Sequence, residues 1–196
     1  MIGKGYVMAL TPLALAALGL LVERPMHPYE MYQLLLERGK DRIVKVRPGS
    51  LYHTVERLED HALVESTGTT REGNRPERTT YAVTDLGRQM LRDRIGDLLT
   101  HPVKEYPHLP FALGEADNLP PDQVVTALQH YADTLDDDIV DISARLDTLR
   151  SREHLPEIHQ LAASYVLTMT TTQRDWIRTL IARIDTKDLT WQPAHQ

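Results

Sequence analysis

The 196-residue chain contains no cysteine. This excludes disulfides, thiolate nucleophiles and cysteine-ligated zinc together, and it suits a reducing compartment. An excess of positive charge is also missing: 22 Lys and Arg stand against 28 Asp and Glu, a formal charge of −6 with neutral His. A basic coat over the whole surface is therefore ruled out. No HExxH, phosphate-loop or Gly-rich dinucleotide pattern occurs, no nucleophile–base pair stands out, and no internal repeat is visible. Catalysis and a bound cofactor are accordingly not expected. The most apolar run, Val7–Val22, follows a lone Lys4 and has the look of an export signal. Thr11-Pro12 interrupts it, however, and it is short against the roughly 20 residues a membrane span needs. It reads instead as a buried helix with Thr11 as its cap and Pro12 at the first helical position.

What the chain does have is ordinary globular composition, 41% hydrophobic and 26% charged, unevenly divided. Residues 1–95 carry a net +2 and residues 96–196 a net −8, which suggests two modules with different partners. In the first, apolar spacing predicts helices over about 12–23, 29–38 and 48–61. The Pro25 and Pro28 break separates the first two, and Gly39 stops the second. A short extended piece at Ile43, Val44 and Val46 lies before the third. The third helix carries an inward stripe of Leu51, Val55, Leu58 and Ala62. Two strands, near 63–67 and 78–84, flank a polar loop and predict a hairpin; Thr84 then caps a fourth helix ending near Leu99. Three helices followed by a hairpin is the order of a winged helix-turn-helix. In that arrangement the exposed face of the third helix enters a DNA major groove and the hairpin tip reaches an adjacent groove or the backbone.

The second module reads as helical. His101–Leu119 holds several prolines and little periodicity, apart from a turn near Phe111–Ala116. Pro120-Pro121 launches a long helix with an apolar seam at Leu128, Tyr131, Leu135, Ile139, Ile142, Leu146 and Leu149. A last helix places Leu161, Tyr165, Met169, Trp176, Leu180 and Ile184 on one face. Two helices with such stripes most simply meet each other and a second copy of the chain. The expected architecture is thus mainly α with a small β-hairpin. It comprises a winged helix-turn-helix domain over 1–100, a connector over 101–119, a helical dimerisation domain over 120–185 and a loose tail over 186–196, Trp191 being the possible exception.

Three segments carry a family resemblance: LALAALGLLVERPMHPYEMYQLL, RPGSLYHTVERLEDHALVES and RTTYAVTDLGRQ. Together they resemble PadR-type transcriptional regulators, most specifically at Pro48-Gly49-Ser50-Leu51-Tyr52, with Thr84-Asp85-Leu86-Gly87-Arg88 in support. The likeness is strong over about residues 10–95. The second half is similar to the subgroup with a longer C-terminal helical dimerisation domain, through Leu109-Pro110-Phe111-Ala112-Leu113 and Asp175-Trp176. The chain departs from the family at Pro28, where Gly is frequent, and at His53, where Pro is frequent. The resemblance implies a cytoplasmic bacterial regulator, usually a repressor, that binds an operator as a homodimer and responds to a small molecule.

The residues expected to meet DNA follow from the helix order. Lys40, Arg42, Lys45 and Arg47, with Arg38, form a basic run before the third helix and would neutralise phosphates; the competing account is a solvated turn. Ser50, Tyr52, His53, Thr54 and Arg57 lie off the inward stripe. Their hydroxyls suit phosphates, and Arg57 or His53 suits base edges, while Tyr52 could equally pack between helices. Arg71, Asn74, Arg75 and Arg78 mark the hairpin tip, the alternative for Arg78 being a place inside the strand. Phe111, Tyr131, Tyr165 and Trp176 could wall a pocket for a small aromatic effector, although aromatics at helical spacing commonly serve as core. Asp133, Asp136, Asp137, Asp138 and Asp141 read as a solvated acidic face, and His154, Glu157 and His159 as a poor metal site. The rival function is a winged-helix protein-interaction adaptor without specific DNA binding.

Overall fold

The computed structural model describes residues 10–70, 78–151 and 156–191. The chain separates into two compact units, residues 1–104 and 105–196. Among the described residues no helix is long and apolar enough to cross a membrane.

The first unit is built around α1 (Pro12–Glu23). Thr11 caps it as expected, its hydroxyl accepting from the Ala14 N–H at 3.2 Å. Leu13, Ala14, Ala17, Leu18, Leu20 and Leu21 are all buried, so the helix is enclosed on most sides, which is why its sequence is so continuously apolar. The turn that follows is not a bare connection. Met26 pairs with Tyr81 across two backbone hydrogen bonds of 3.1 Å, which ties the turn to the hairpin. α2 (Pro28–Glu37) begins with Pro28 at its first position and buries Met31 and Leu35. Gly39, at φ 66, closes it in a left-handed conformation that favours glycine.

Residues 40–42 then form a single 3-10 turn. The extended piece expected at Ile43, Val44 and Val46 is not a strand. Val44 N–H is still engaged with the Lys40 carbonyl, and no neighbouring strand offers it a ladder. Side chains nevertheless alternate along it, with Val44 and Val46 packed toward the core and Ile43 exposed.

α3 (Pro48–Asp60) buries Leu51, Val55 and Leu58. The fourth member of the expected stripe, Ala62, lies beyond the helix, exposed and at φ 56. The Ala62 N–H donates to the Glu59 carbonyl and the Leu63 N–H to the Leu58 carbonyl, at 2.8 and 2.9 Å. This is a Schellman C-cap with Ala in the place usually taken by Gly, and it swings Leu63 rather than Ala62 into the core.

β1 (Val64–Thr70) and β2 (Arg78–Val83) pair antiparallel, Val64 opposite Val83, with a register shift between Ser66 and Gly68. α4 (Asp85–Thr100) follows at once. The Thr84 hydroxyl accepts from the Gly87 N–H at 3.0 Å and donates to the Ala62 carbonyl at 2.8 Å, while the Thr84 N–H donates to the Leu63 carbonyl at 3.1 Å. One residue thus caps α4 and fastens it to the start of β1. Gly87 lies so close to that start that a Cβ would sit 2.0 Å from the Leu63 carbonyl oxygen. The Thr-Asp-Leu-Gly segment has a packing reason at both ends.

The second unit consists of α5 (His108–Gly114), α6 (Pro121–Arg150) and α7 (Leu161–Asp185). The stretch read as a connector contains α5 and a 3-10 turn, and Leu109, Leu113 and Ala116 pack on the core of this unit. The stretch read as a loose tail contributes too: Leu189 and Trp191 join the same core, and the Trp191 indole N–H donates to the Leu119 carbonyl at 3.1 Å. α6 buries Val124, Leu128, Ala132, Leu135, Ile142 and Leu146, but leaves Tyr131 exposed. α7 departs furthest from expectation. It buries Ile177 and Ile184, whereas Leu161, Tyr165, Met169 and Trp176 face outward. Between α6 and α7 Asp136 accepts from both Arg174 and Arg178, at 2.8 and 2.5 Å, while Arg174 also donates to Asp175.

Candidate nucleic-acid interface

The amphipathic character of α3 decides what the first unit can present. With Leu51, Val55 and Leu58 buried, Ser50, His53 and Arg57 point to solvent, and Tyr52 is 36% exposed. No side chain caps the N-terminus of α3, and its first turn holds no acidic residue. Its leading N–H groups and the positive end of its dipole therefore follow directly on Lys45 and Arg47, both exposed. That combination attracts a phosphate: oriented donors, a favourable dipole and two mobile cations.

The other expected phosphate ligands divide. Lys40 and Arg42 are half-buried in the 3-10 turn. Arg38 is withdrawn from the basic run: its guanidinium grips both carboxylate oxygens of Glu23 at 2.5 and 2.8 Å, locking α2 to α1. Thr54 is half-buried and donates its hydroxyl proton to the Ser50 carbonyl at 2.7 Å, so only its acceptor lone pairs remain. His53 stands in solvent with Nδ1 3.1 Å from a Glu56 carboxylate oxygen. Arg78 opens β2 and is exposed. Arg71, Asn74 and Arg75, the expected tip of the hairpin, lie outside the described residues.

Two links between α3 and its surroundings were not anticipated. Tyr81 of β2 hydrogen-bonds Glu59 of α3; partial burial, with the Glu59 and Glu56 charges, raises the phenol above its usual range. His27, the cap of α2, accepts the Tyr29 N–H on Nδ1 at 3.0 Å and sets its ring edge-on to Tyr52 of α3, with centroids 5.7 Å apart. Burial, then the neighbouring Arg78 charge, lowers its pKa below the ordinary histidine value. The position of His27 directly before Pro28, where caps occur, was the available signal.

In the second unit the four proposed effector aromatics are not gathered into an enclosed pocket. Phe111 on α5, Tyr131 on α6, and Tyr165 and Trp176 on α7 are all exposed, Phe111 at 73%. The ring pairs among the described residues are His27–Tyr52 and Tyr29–Tyr32, so these four make none with each other. Gln173 of α7 places its amide nitrogen 3.5 Å from the Tyr131 hydroxyl, at the limit of a hydrogen bond. Among the described residues no group of three or more His, Asp or Glu could hold a metal ion, and the aspartates of α6 serve in part as the Arg174 and Arg178 clamp.

Comparison with known proteins matches this geometry. Residues 17–93 match the model of the transcriptional regulator PadR-like family. Among solved structures, Bacillus subtilis PadR in complex with operator DNA is similar at 21% identity, covering 89% of this chain and 99% of that one, with a TM-score of 0.74. The same protein in complex with p-coumaric acid gives 19% identity, coverages of 88% and 98%, and a TM-score of 0.72. The Vibrio cholerae virulence activator AphA gives 13%, 89% and 99%, and 0.67. At these identities the likeness establishes a shared fold, winged helix and long C-terminal helices included. Curated protein sequences give no match. Residues 17–93, which hold α2, α3, the hairpin strands and most of α1 and α4, are thus the part of the chain that matches the PadR-like family of transcriptional regulators.

Proposed function

We propose that the protein binds a pseudo-palindromic operator as a homodimer, represses the adjacent gene, and is released by a small aromatic effector. The observation that carries the DNA reading is α3: a helix with one face fully buried and the other polar, its uncapped N-terminus preceded by the exposed Lys45 and Arg47. Two copies related by a two-fold axis would place their α3 helices in successive major grooves, about one helical turn apart. Ser50, Lys45 and Arg47 would position the backbone, Arg57 and His53 would reach base edges, and Arg75 and Arg78 the adjoining groove. The acidic second half discourages DNA from binding there. Support for the homodimer comes from the apolar side chains that α7 leaves outward, and for the effector from Tyr131, Tyr165 and Trp176 on the same two helices. The operator and p-coumaric acid complexes of Bacillus subtilis PadR lend the reading its partners by analogy.

The test is a salt-series mobility shift with the DNA upstream of the protein's own and neighbouring genes. Selective binding that weakens steeply with salt is expected. Arg57→Ala and Arg75→Ala should each cost about 1–3 kcal/mol, and Lys45→Ala should lower the salt slope by about 1. A double Arg57→Ala, Arg75→Ala variant with wild-type affinity would sink the contact assignment. Salt-insensitive or absent DNA binding by a folded dimer would favour the adaptor reading.

A further inference from the structure

Beyond the expected contact residues, one side chain joins the parts of the unit that would meet DNA. His27 occupies the turn between α1 and α2, next to Met26, whose two backbone hydrogen bonds hold β2 at Tyr81. Its Nδ1 accepts the Tyr29 N–H, so in this structure the ring is neutral with its proton on Nε2. The ring edge meets Tyr52, which stands on the outward part of α3. A single half-buried imidazole thus touches the cap of α2 and the reading helix, one residue from the anchor of the hairpin.

The groups that face it come from three elements. Glu30 and Tyr29 lie on α2, Tyr52 on α3 and Arg78 on β2. Arg78 opposes a positive ring. Glu30 would favour one, but Arg24 pairs with its carboxylate, and the guanidinium charge offsets the field that the ionised Glu30 casts on the ring. A proton on Nδ1 has no acceptor in this geometry: it would meet the Tyr29 N–H head-on, so the cap must break and the ring must turn. Turning the ring removes the edge that Tyr52 rests against.

We propose that neutral His27 is a positioning residue for DNA reading, holding Tyr52 of α3 in place, and that its protonation weakens operator binding. This rests on the operator reading above. His27 itself needs no contact with DNA; it acts through Tyr52. The effect opposes the general trend in which a protonated histidine near DNA adds positive charge and strengthens phosphate contact.

The experiment compares wild type and His27→Asn on the tightest-binding upstream duplex at pH 7.5 and 5.5. Asn keeps a cap acceptor but cannot titrate. Every other titratable group is common to both proteins, so the ratio of the two pH responses isolates His27. Wild type is expected to lose about fivefold more affinity across this step than His27→Asn, the scale of one lost helix cap. Tyr52→Phe, which keeps the ring, should retain the wild-type response, and Tyr52→Ala should lose it. Should His27→Asn fail to fold, His27→Gln supplies the same comparison. Selective binding with equal pH responses in wild type and His27 variant overturns the inference alone. A Tyr52→Ala protein that keeps the full response overturns it as well. Failure of wild type to bind any fragment selectively at pH 7.5 overturns the operator reading itself, and this inference with it.

Discussion

The two units of this chain solve burial differently. The first closes on itself: α1 is surrounded, and its core runs without interruption from Leu10 through Met31, Leu51 and Leu58 to Leu91. The second is two long helices and a short one around a thin seam of Val124, Leu128, Ala132, Leu135, Ile177 and Ile184. It leaves Tyr165 at 67%, Met169 at 50% and Trp176 at 53% exposed. Large apolar side chains on a continuous helix face are costly in water, and the homodimer proposed above would cover them. The contrast teaches that local sequence can complete a core only where enough elements converge. Four helices and a hairpin suffice; two long helices and a short one do not.

The contrast can be broken by paired substitutions. Leu51→Ala, in the closed core, should lower unfolding free energy by about 2–5 kcal/mol. Trp176→Ser, on the open face, should leave the melting of an isolated protomer nearly unchanged while raising the dimer dissociation constant in sedimentation experiments. Equal destabilisation of the protomer by both would show that the second unit is as self-contained as the first. Within α4 a sharper pair is available. Gly87→Ala drives a methyl into the Leu63 carbonyl and should cost about 1–3 kcal/mol or more. Gly96→Ala, with no neighbouring atom within 4 Å, should gain about 0.5–1 kcal/mol from helix propensity. Denaturant titration of the two variants decides it; the same sign for both would remove the packing account of the Thr-Asp-Leu-Gly segment.

The smallest expected effect is that of pH. Because folding lowers the pKa of His27, the unfolded chain binds the proton more readily and stability rises with pH in that range. The contribution is whole above the unfolded value of about 6.5 and is lost as pH falls from there through the folded value. A thermal transition that drops between pH 7.5 and 5.5 in wild type, and by less in His27→Asn, is the expected result. Identical slopes in the two proteins would place the proton elsewhere.

How legible each feature was depended on how local its cause is. Thr11-Pro12 and Thr84 could be read as caps because a cap is written in a few consecutive residues, and the structure places both hydroxyls on the expected N–H groups. The buried stripe of α3 was legible for the same reason as far as Leu58. Beyond it the 4-3-4 spacing runs on to Ala62 although the helix has ended, because the left-handed cap there uses Ala, and nothing in Ala announces a stop. On α7 apolar residues occupy two faces about 100° apart. Periodicity alone cannot say which face the partner helix takes; Ile177 went inward and Trp176 outward. In the candidate interface, charge could be counted from sequence, but its engagement could not. Arg38 looked like part of a phosphate-binding run, and only the approach of α1 turns it onto Glu23. His27 was overlooked because its partners, Tyr52 and Arg78, lie 25 and 51 positions away along the chain.

The Met26–Tyr81 pairing has a bearing on how the hairpin comes apart. A two-stranded ribbon standing alone frays readily. Here the inner strand is stitched to the turn beneath α1, so the amides of Met26 and Tyr81 can exchange with solvent only when the helical core itself opens. The root of the hairpin therefore shares the lifetime of the core, and amide exchange at Tyr81 would serve as a gauge of the whole unit's cooperativity.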